Sequence, residues 1–250
     1  MPTSPPPATP AAPSTAPSTS GQCRDGALPA AVLWDMDGTL VDTEPYWMAE
    51  ETALVEAAGG TWSHEEALQL VGNDLMVSAR VLLERTPVTG TPEEVVDALV
   101  SGVAARMRTG LPWRPGAAEL LADLRRRGVP CALVTMSWTA LADVLLEHLP
   151  AGTFAAVVTG DQVERGKPHP DPYLEAARRL SVEPRDCVAL EDSPTGATSA
   201  TSAGIPTLVV PNVVEVPRMA GAVRLGSLVD VTAGQRSRTT DPSSWSRRSG

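Results

Sequence analysis

Ala30-Ala-Val-Leu-Trp-Asp35-Met-Asp37-Gly38-Thr39-Leu-Val-Asp-Thr-Glu44 is an apolar run that breaks abruptly into carboxylates, a glycine and hydroxyls. An apolar run this short, with no polar alternation, fits a strand buried on both faces. The pattern recurs in Val129-Pro-Cys-Ala-Leu-Val134, Ala155-Ala-Val-Val158, Cys187-Val-Ala-Leu190 and Ile205-Pro-Thr-Leu-Val-Val210. Helical patterns separate the runs, among them Gly116 to Arg127, closed by Gly128, and Pro172 to Leu180. This alternation predicts an α/β fold: a doubly wound, Rossmann-like core built on a parallel sheet.

One gap breaks the rhythm. Between Pro45 and Leu111 no strand pattern occurs, and Glu50–Ala58, Glu65–Val71, Leu75–Glu84 and Glu93–Met107 carry apolar residues at helical spacing. A helical cap over 45–111, inserted after the first strand, is expected, with the core formed by 28–44 and 112–232. Pro112, Trp113, Pro115 and Gly116 mark the return to the core. Residues 1–27 are rich in Pro, Ala, Ser and Thr and predict a disordered leader; 233–250 predict a disordered tail.

With 250 residues, 42% of them hydrophobic, the chain can bury a full core. Its net charge of −10 argues against a nucleic-acid partner, which needs clustered Lys and Arg. No run approaches the ~20 apolar residues of a membrane span, and the N-terminus has no basic start followed by an apolar segment, so neither membrane nor signal peptide is expected. Cys23, Cys131 and Cys187 are an odd set without CxxC spacing, which points to a reduced, cytoplasmic setting. Cys131 and Cys187 lie in apolar runs and read as small buried hydrophobes. A monomer is the default expectation.

Four of the apolar runs lead into polar segments, and ligands bind at the carboxyl ends of strands in a parallel sheet. Asp35 and Asp37, two apart on an extended chain, fall on the same side, and Gly38 permits a tight turn. One carboxylate can attack phosphorus while the other handles a proton. Thr135-Met136-Ser137 offers hydroxyl donors, although such residues also cap helices. Gly166-Lys167-Pro168-His169-Pro170 presents a cation on a stiff loop, and Lys167 is the one lysine among 20 basic residues. Glu191-Asp192-Ser193-Pro194 supplies hard oxygen ligands of the kind magnesium prefers, and also fits a helix start.

Taken together, Asp-x-Asp-Gly-Thr-Leu-x-Asp-Thr-Glu, Gly-Lys-Pro-His-Pro-Asp and Glu-Asp-Ser resemble the motifs of the haloacid dehalogenase-like hydrolase superfamily over about Ala31 to Leu228. Within it, the chain resembles the phosphatase and β-phosphoglucomutase-like branch with a helical cap after strand one. The resemblance implies that Asp35 is the nucleophile, forming an aspartyl-phosphate, and that Asp37 protonates the leaving alcohol and then activates water. It implies a phosphate-binding set of Gly38, Thr135, Met136 and Lys167. It also implies a Mg2+ site of Asp35, Asp37 through its carbonyl, Asp192 and Glu191. The implied substrate is a small-molecule phosphate ester, a sugar or polyol phosphate.

Single residues separate the branches. Dehalogenases lack the second aspartate, present here as Asp37. Schiff-base hydrolases of phosphonoacetaldehyde need a cap lysine, and none occurs between Pro45 and Leu111. β-Phosphoglucomutases grip a second phosphate with a cap lysine and arginine, where this chain has Leu70-Val-Gly72-Asn73-Asp-Leu75 and only Arg80 a turn further on. A mutase is therefore the second reading, with Gly72, Asn73 and Arg80 as candidate cap contacts. A non-catalytic binding or regulatory member is a third, opposed by the intact motifs.

Overall fold

A computed structural model describes residues 28–71, 74–229 and 231. The expected leader over 1–27 and tail over 233–250, Cys23, and the cap contacts Gly72 and Asn73 all lie outside the described residues.

Six parallel strands make one sheet: β1 (Ala31–Trp34), β2 (Cys131–Val134), β3 (Ala156–Val158), β4 (Cys187–Glu191), β5 (Thr207–Val209) and β6 (Ala222–Arg224). Their order is β3-β2-β1-β4-β5-β6, so the chain winds outward from β1 in both directions. The expected doubly wound sheet is what forms. Two strands are shorter than their apolar runs because proline cannot donate to a ladder: β2 starts after Pro130 and β5 after Pro206. Both prolines still accept, Pro130 O from Val32 N and Pro206 O from Ala189 N, each at 2.9 Å. β6 has no counterpart among the sequence expectations. It is a half-exposed edge strand with no apolar run to mark it.

The pleat sorts side chains into two layers. Val32, Trp34, Cys131, Leu133, Val188 and Leu190 face one apolar cluster, while Ala31, Leu33, Ala132, Val134, Cys187 and Ala189 face the other. On the first side lie α5 (Ala117–Arg126) and α6 (Thr139–Glu147), through Leu120, Leu121, Leu124, Leu141 and Leu145. Each such buried leucine contributes about 1.5–3 kcal/mol. On the second side lie α7 (Asp171–Leu180) and α8 (Pro194–Ser202), through Tyr173, Ala176 and Ala200.

Four helices fill the gap between β1 and α5: α1 (Glu44–Ala57), α2 (His64–Leu68), α3 (Leu75–Arg85) and α4 (Pro92–Thr109). Their starts are written locally. Ser63 with Glu66 and Thr91 with Glu94 form capping boxes, and the Asp74 side chain caps α3. Pro45 falls inside the first turn of α1, where a missing N–H costs nothing, so the helix begins before the expected boundary. Arg106 on α4 pairs with Glu50 on α1. The apolar side of α4, including Val96, Val100 and Val103, belongs to the same cluster that fills the first face of the sheet.

The connectors into and out of this helical segment pair with each other. Asp42 N donates to Pro112 O at 2.8 Å and Arg114 N to Leu40 O at 3.0 Å, giving an antiparallel bridge between Val41 and Trp113. Their side chains meet on the loop after β5, where Asn212 donates to Asp42 Oδ1 and accepts from Arg114 Nη1, both at 2.8 Å.

Candidate active site

Strand alternation places the first group of residues. Trp34 and Leu190 point to the α5/α6 face, so the next residues, Asp35 and Glu191, turn toward the α7 face at the carboxyl ends of β1 and β4. Lys167 reaches them from the loop before α7. Its ammonium donates to Asp35 Oδ1 at 2.6 Å and to Glu191 Oε1 at 2.7 Å, with all three side chains nearly or fully buried. Burial alone would lower the Lys167 pKa, but Asp35 and Glu191 more than offset it, and the group is held protonated, above its ordinary range. Tyr173 OH donates to the same Glu191 oxygen at 2.7 Å. The other oxygen, Oε2, accepts from Asp192 N and from Ser193 Oγ, each at 3.3 Å. Gly196 makes room for it: a Cβ there would sit 1.9 Å from Oε2.

Asp37 stands in a different environment. Its Oδ2 accepts from Ser137 Oγ at 2.6 Å and Thr135 Oγ1 at 3.3 Å, and its Oδ1 from Thr43 Oγ1 at 2.5 Å. All its donors are neutral hydroxyls. Burial pushes the Asp37 carboxyl above its ordinary range, the hydroxyls pull it back in part, and the charge of Asp35 adds to the rise. Two aspartates two residues apart therefore differ: Asp35 lies against a permanent cation, and Asp37 is biased toward its protonated form. Glu44 at the start of α1 is pushed up to about 7, chiefly by burial, with the charge of Asp37 adding to it.

Asp192 completes an acidic cluster. Oxygen atoms of Asp35, Glu191 and Asp192 lie within 4.8 Å of one another. Burial, then the charges of Asp35 and Glu191, push Asp192 up to about 9. Asp35 Oδ2 is buried with no hydrogen-bond partner. Three carboxylates against one ammonium, with an orphaned oxygen among them, fit an oxygen-preferring divalent cation. The turn beneath is built for the close approach: Gly38 has φ of +84°, and a Cβ there would lie 2.0 Å from Asp192 Oδ2. Asp192 also precedes Ser193, which caps α8, so the segment is a helix start and at the same time brings a carboxylate to the acidic cluster.

Of the residues expected from sequence, Asp35, Asp37, Thr135, Lys167, Glu191 and Asp192 are brought together. Thr135 Oγ1 is turned to Asp37 and also accepts from Ser137 N at 2.9 Å. Met136 reaches Lys167 by its sulfur, which lies 3.2 Å from the Lys167 backbone N. The Gly38 amide is engaged within its own turn, donating to Val41 O at 2.7 Å. Arg80 is exposed on α3. Cys131 and Cys187 are buried, as expected, and burial raises the Cys131 thiol to about 12. Thr43 and Tyr173 were not expected. Thr43 is a near neighbour of the first motif whose hydroxyl could have been marked as a partner for Asp37. Tyr173 carries no such signal, since it reads as a core residue of α7.

The chain matches the family model described as haloacid dehalogenase-like hydrolase over residues 29–204. It is 35% identical over 197 residues to the plasmid-encoded CbbY protein of Cupriavidus necator, covering 72% of this chain and 78% of that one. It is 30% identical over 209 residues to hexitol phosphatase B of Escherichia coli K12, covering 81% and 94% respectively. Among solved structures, a variant CbbY from Rhodobacter sphaeroides in complex with xylulose-(1,5)bisphosphate superposes with a TM-score of 0.74 at 29% identity, covering 82% of this chain and 96% of that one. Motifs, sheet order, site geometry and these likenesses agree: the chain belongs to the haloacid dehalogenase-like hydrolase family, in the branch that contains phosphatases and β-phosphoglucomutase-like enzymes.

Proposed function

We propose that the chain is a magnesium-dependent phosphatase of a small sugar or polyol phosphate, working through an aspartyl-phosphate on Asp35. The observation that carries this reading is the split environment of the two aspartates. Asp35 lies against the Lys167 ammonium, whereas Asp37 is surrounded by hydroxyls and pushed up by burial. A phosphomonoester needs one carboxylate as nucleophile and one carboxylic acid to protonate the leaving alkoxide.

In this reading a carboxylate oxygen of Asp35 forms the new bond to phosphorus as the ester oxygen departs with the Asp37 proton. Asp37, now a carboxylate steadied by Ser137, Thr43 and Thr135, takes a proton from a water whose oxygen bonds to phosphorus as the Asp35 oxygen–phosphorus bond breaks, which releases phosphate and restores both side chains. Lys167 bonds to Asp35 and Glu191, and its remaining N–H can hold a phosphoryl oxygen. Asp35, Asp192, the Asp37 carbonyl and Glu191 are the residues that would hold Mg2+, which supplies neutralising charge for the phosphoryl oxygens. We assign α1–α4 the role of a cap over the leaving group, because Thr43 links Asp37 to the start of α1. The names of relatives, hexitol phosphatase and pseudouridine-5'-phosphatase among them, support a hydroxyl-rich substrate. A cytoplasmic monomer acting on small molecules is the setting this reading implies.

The test is phosphate release from a panel of sugar, polyol and nucleoside monophosphates with and without Mg2+. Release should require Mg2+ and vanish in Asp35→Asn. Full activity in Asp35→Asn refutes the nucleophile. Isomerisation of glucose 1-phosphate in the presence of its bisphosphate, without net phosphate release, replaces the phosphatase with a mutase.

A further inference from the structure

Tyr173 is fully buried, yet its one polar atom is aimed at the reaction centre. It sits in the first turn of α7, six residues after Lys167, on the face of the sheet toward which Glu191 turns. Its hydroxyl donates to Glu191 Oε1, the oxygen that also accepts from Lys167 Nζ. Its ring lies under the same ammonium, with Nζ 5.3 Å from the centroid. One phenol therefore touches the anion with a hydrogen bond and the cation with its π-face.

We propose that Tyr173 is a positioning residue for the phosphoryl-holding lysine, acting through Glu191; this rests on the phosphatase reading for its catalytic consequence. An ammonium has three N–H bonds. Asp35 and Glu191 take two, so their positions determine where the third points. Glu191 can turn about its side-chain torsions unless its oxygens are fixed. Tyr173 and Lys167 fix Oε1, and Ser193 with the Asp192 amide hold Oε2. Without the phenolic donor one of these restraints is gone, Glu191 is held less tightly, and the third N–H of Lys167 is less sharply directed. The effect belongs to the chemical step, where the phosphoryl oxygens must be met in the correct geometry.

Tyr173→Phe isolates the hydroxyl, because it keeps the ring, its volume and the cation–π contact. Lys167 is the only lysine in the chain, so protein grown on lysine labelled with 13C at the ε-carbon shows a single side-chain signal that reports this ammonium alone. In Tyr173→Phe that signal should shift, and the two ε-protons, inequivalent while the side chain is fixed, should converge. Steady-state phosphate release should show kcat reduced about tenfold with KM changed less than about threefold, as expected for one hydrogen bond to a charged group. Glu191→Gln should move the same signal, and the double variant should move it little further, since both act through one oxygen. An unchanged lysine signal in Tyr173→Phe overturns the proposal whatever happens to activity, and so does a shifted signal with unchanged kcat. Should the wild type release no phosphate while the lysine signal responds, the phosphatase reading fails and the positioning of Lys167 by Tyr173 stands. If Tyr173→Phe does not fold, Glu191→Gln alone decides: a Lys167 signal it leaves in place refutes the relay.

Discussion

Replacing Lys167 with methionine removes the ammonium that pairs with both Asp35 and Glu191. Methionine has similar length, so the change is electrostatic more than steric. Asp35 and Glu191 would be left facing each other with side-chain exposures of 9% and 0% and no cation between them. The two ion pairs share one ammonium, so they count as a single event. Breaking a buried pair costs about 3–5 kcal/mol. At about 2–4 °C per kcal/mol for a domain of this size, the melting temperature should fall by roughly 6–20 °C. The loss has a pH signature. Lys167 is what pulls the Glu191 carboxyl down against burial, so its removal raises Glu191 further. A carboxyl raised in the folded state carries its full penalty at pH above its folded pKa, and the penalty disappears as pH falls toward the ordinary value of 4.5. Urea unfolding followed by circular dichroism should therefore show a large stability gap to the wild type at about pH 8 and a smaller one at about pH 5. Phosphate release should drop by about a thousandfold through loss of a donor to the transferring group. Equal stability of the two proteins at the higher pH, or a gap that widens on acidification, refutes the account of the site.

Four other outcomes follow from the same geometry. Ser137→Ala removes the shortest Asp37 Oδ2 contact, a bond that lowers its pKa, so the acid stays protonated to higher pH and the alkaline limb of the kcat/KM profile should move upward; a downward shift refutes Asp37 as the proton donor. Chelation with EDTA should abolish phosphate release and Mg2+ should restore it. Because burial and the charges of Asp35 and Glu191 push Asp192 up to about 9, the cation has a proton to displace there and calorimetric Mg2+ affinity should rise from about pH 6 to about pH 8; a pH-independent affinity refutes that displacement. Asn212→Ala breaks the side-chain bonds from Asn212 to Asp42 and Arg114, leaving only Arg114 Nη2 to Pro211 O, and should cost about 1–3 kcal/mol in thermal unfolding while altering KM more than kcat.

The sheet was legible because continuous apolar runs such as Cys187–Leu190 are a direct record of burial on both faces, and the candidate site residues were legible because each lies in a polar segment after such a run. Lys167 stood out against a background of arginine. What escaped was whatever depends on packing. β6 is an edge strand whose residues need face only one neighbour, so no apolar run was required. α8 is spelled Pro-Thr-Gly-Ala-Thr-Ser-Ala-Thr-Ser, a poor helix former on propensity, and is held by the Ser193 cap and by burial of Ala197, Ser199 and Ala200. Trp62 is buried and donates to Glu51 at 3.3 Å, a contact made only when α1 and the segment before α2 have packed together. The Tyr173–Glu191 bond joins residues 18 apart across a helix and a strand, a contact that exists only once α7 has docked on the sheet.

The pairing of the two connectors also constrains motion. Leu40–Asp42 and Pro112–Arg114 form a short ribbon joined by backbone hydrogen bonds, so α1–α4 are attached to the sheet by one strap and not by two independent tethers. Two free linkers would let the helices twist, slide and tilt. A bonded ribbon couples the two connections, so neither can shift without the other. Asp37 is bridged to Val41 in that ribbon and bonded to Thr43 just before α1, so the placement of this carboxyl is tied to the attachment of the four helices.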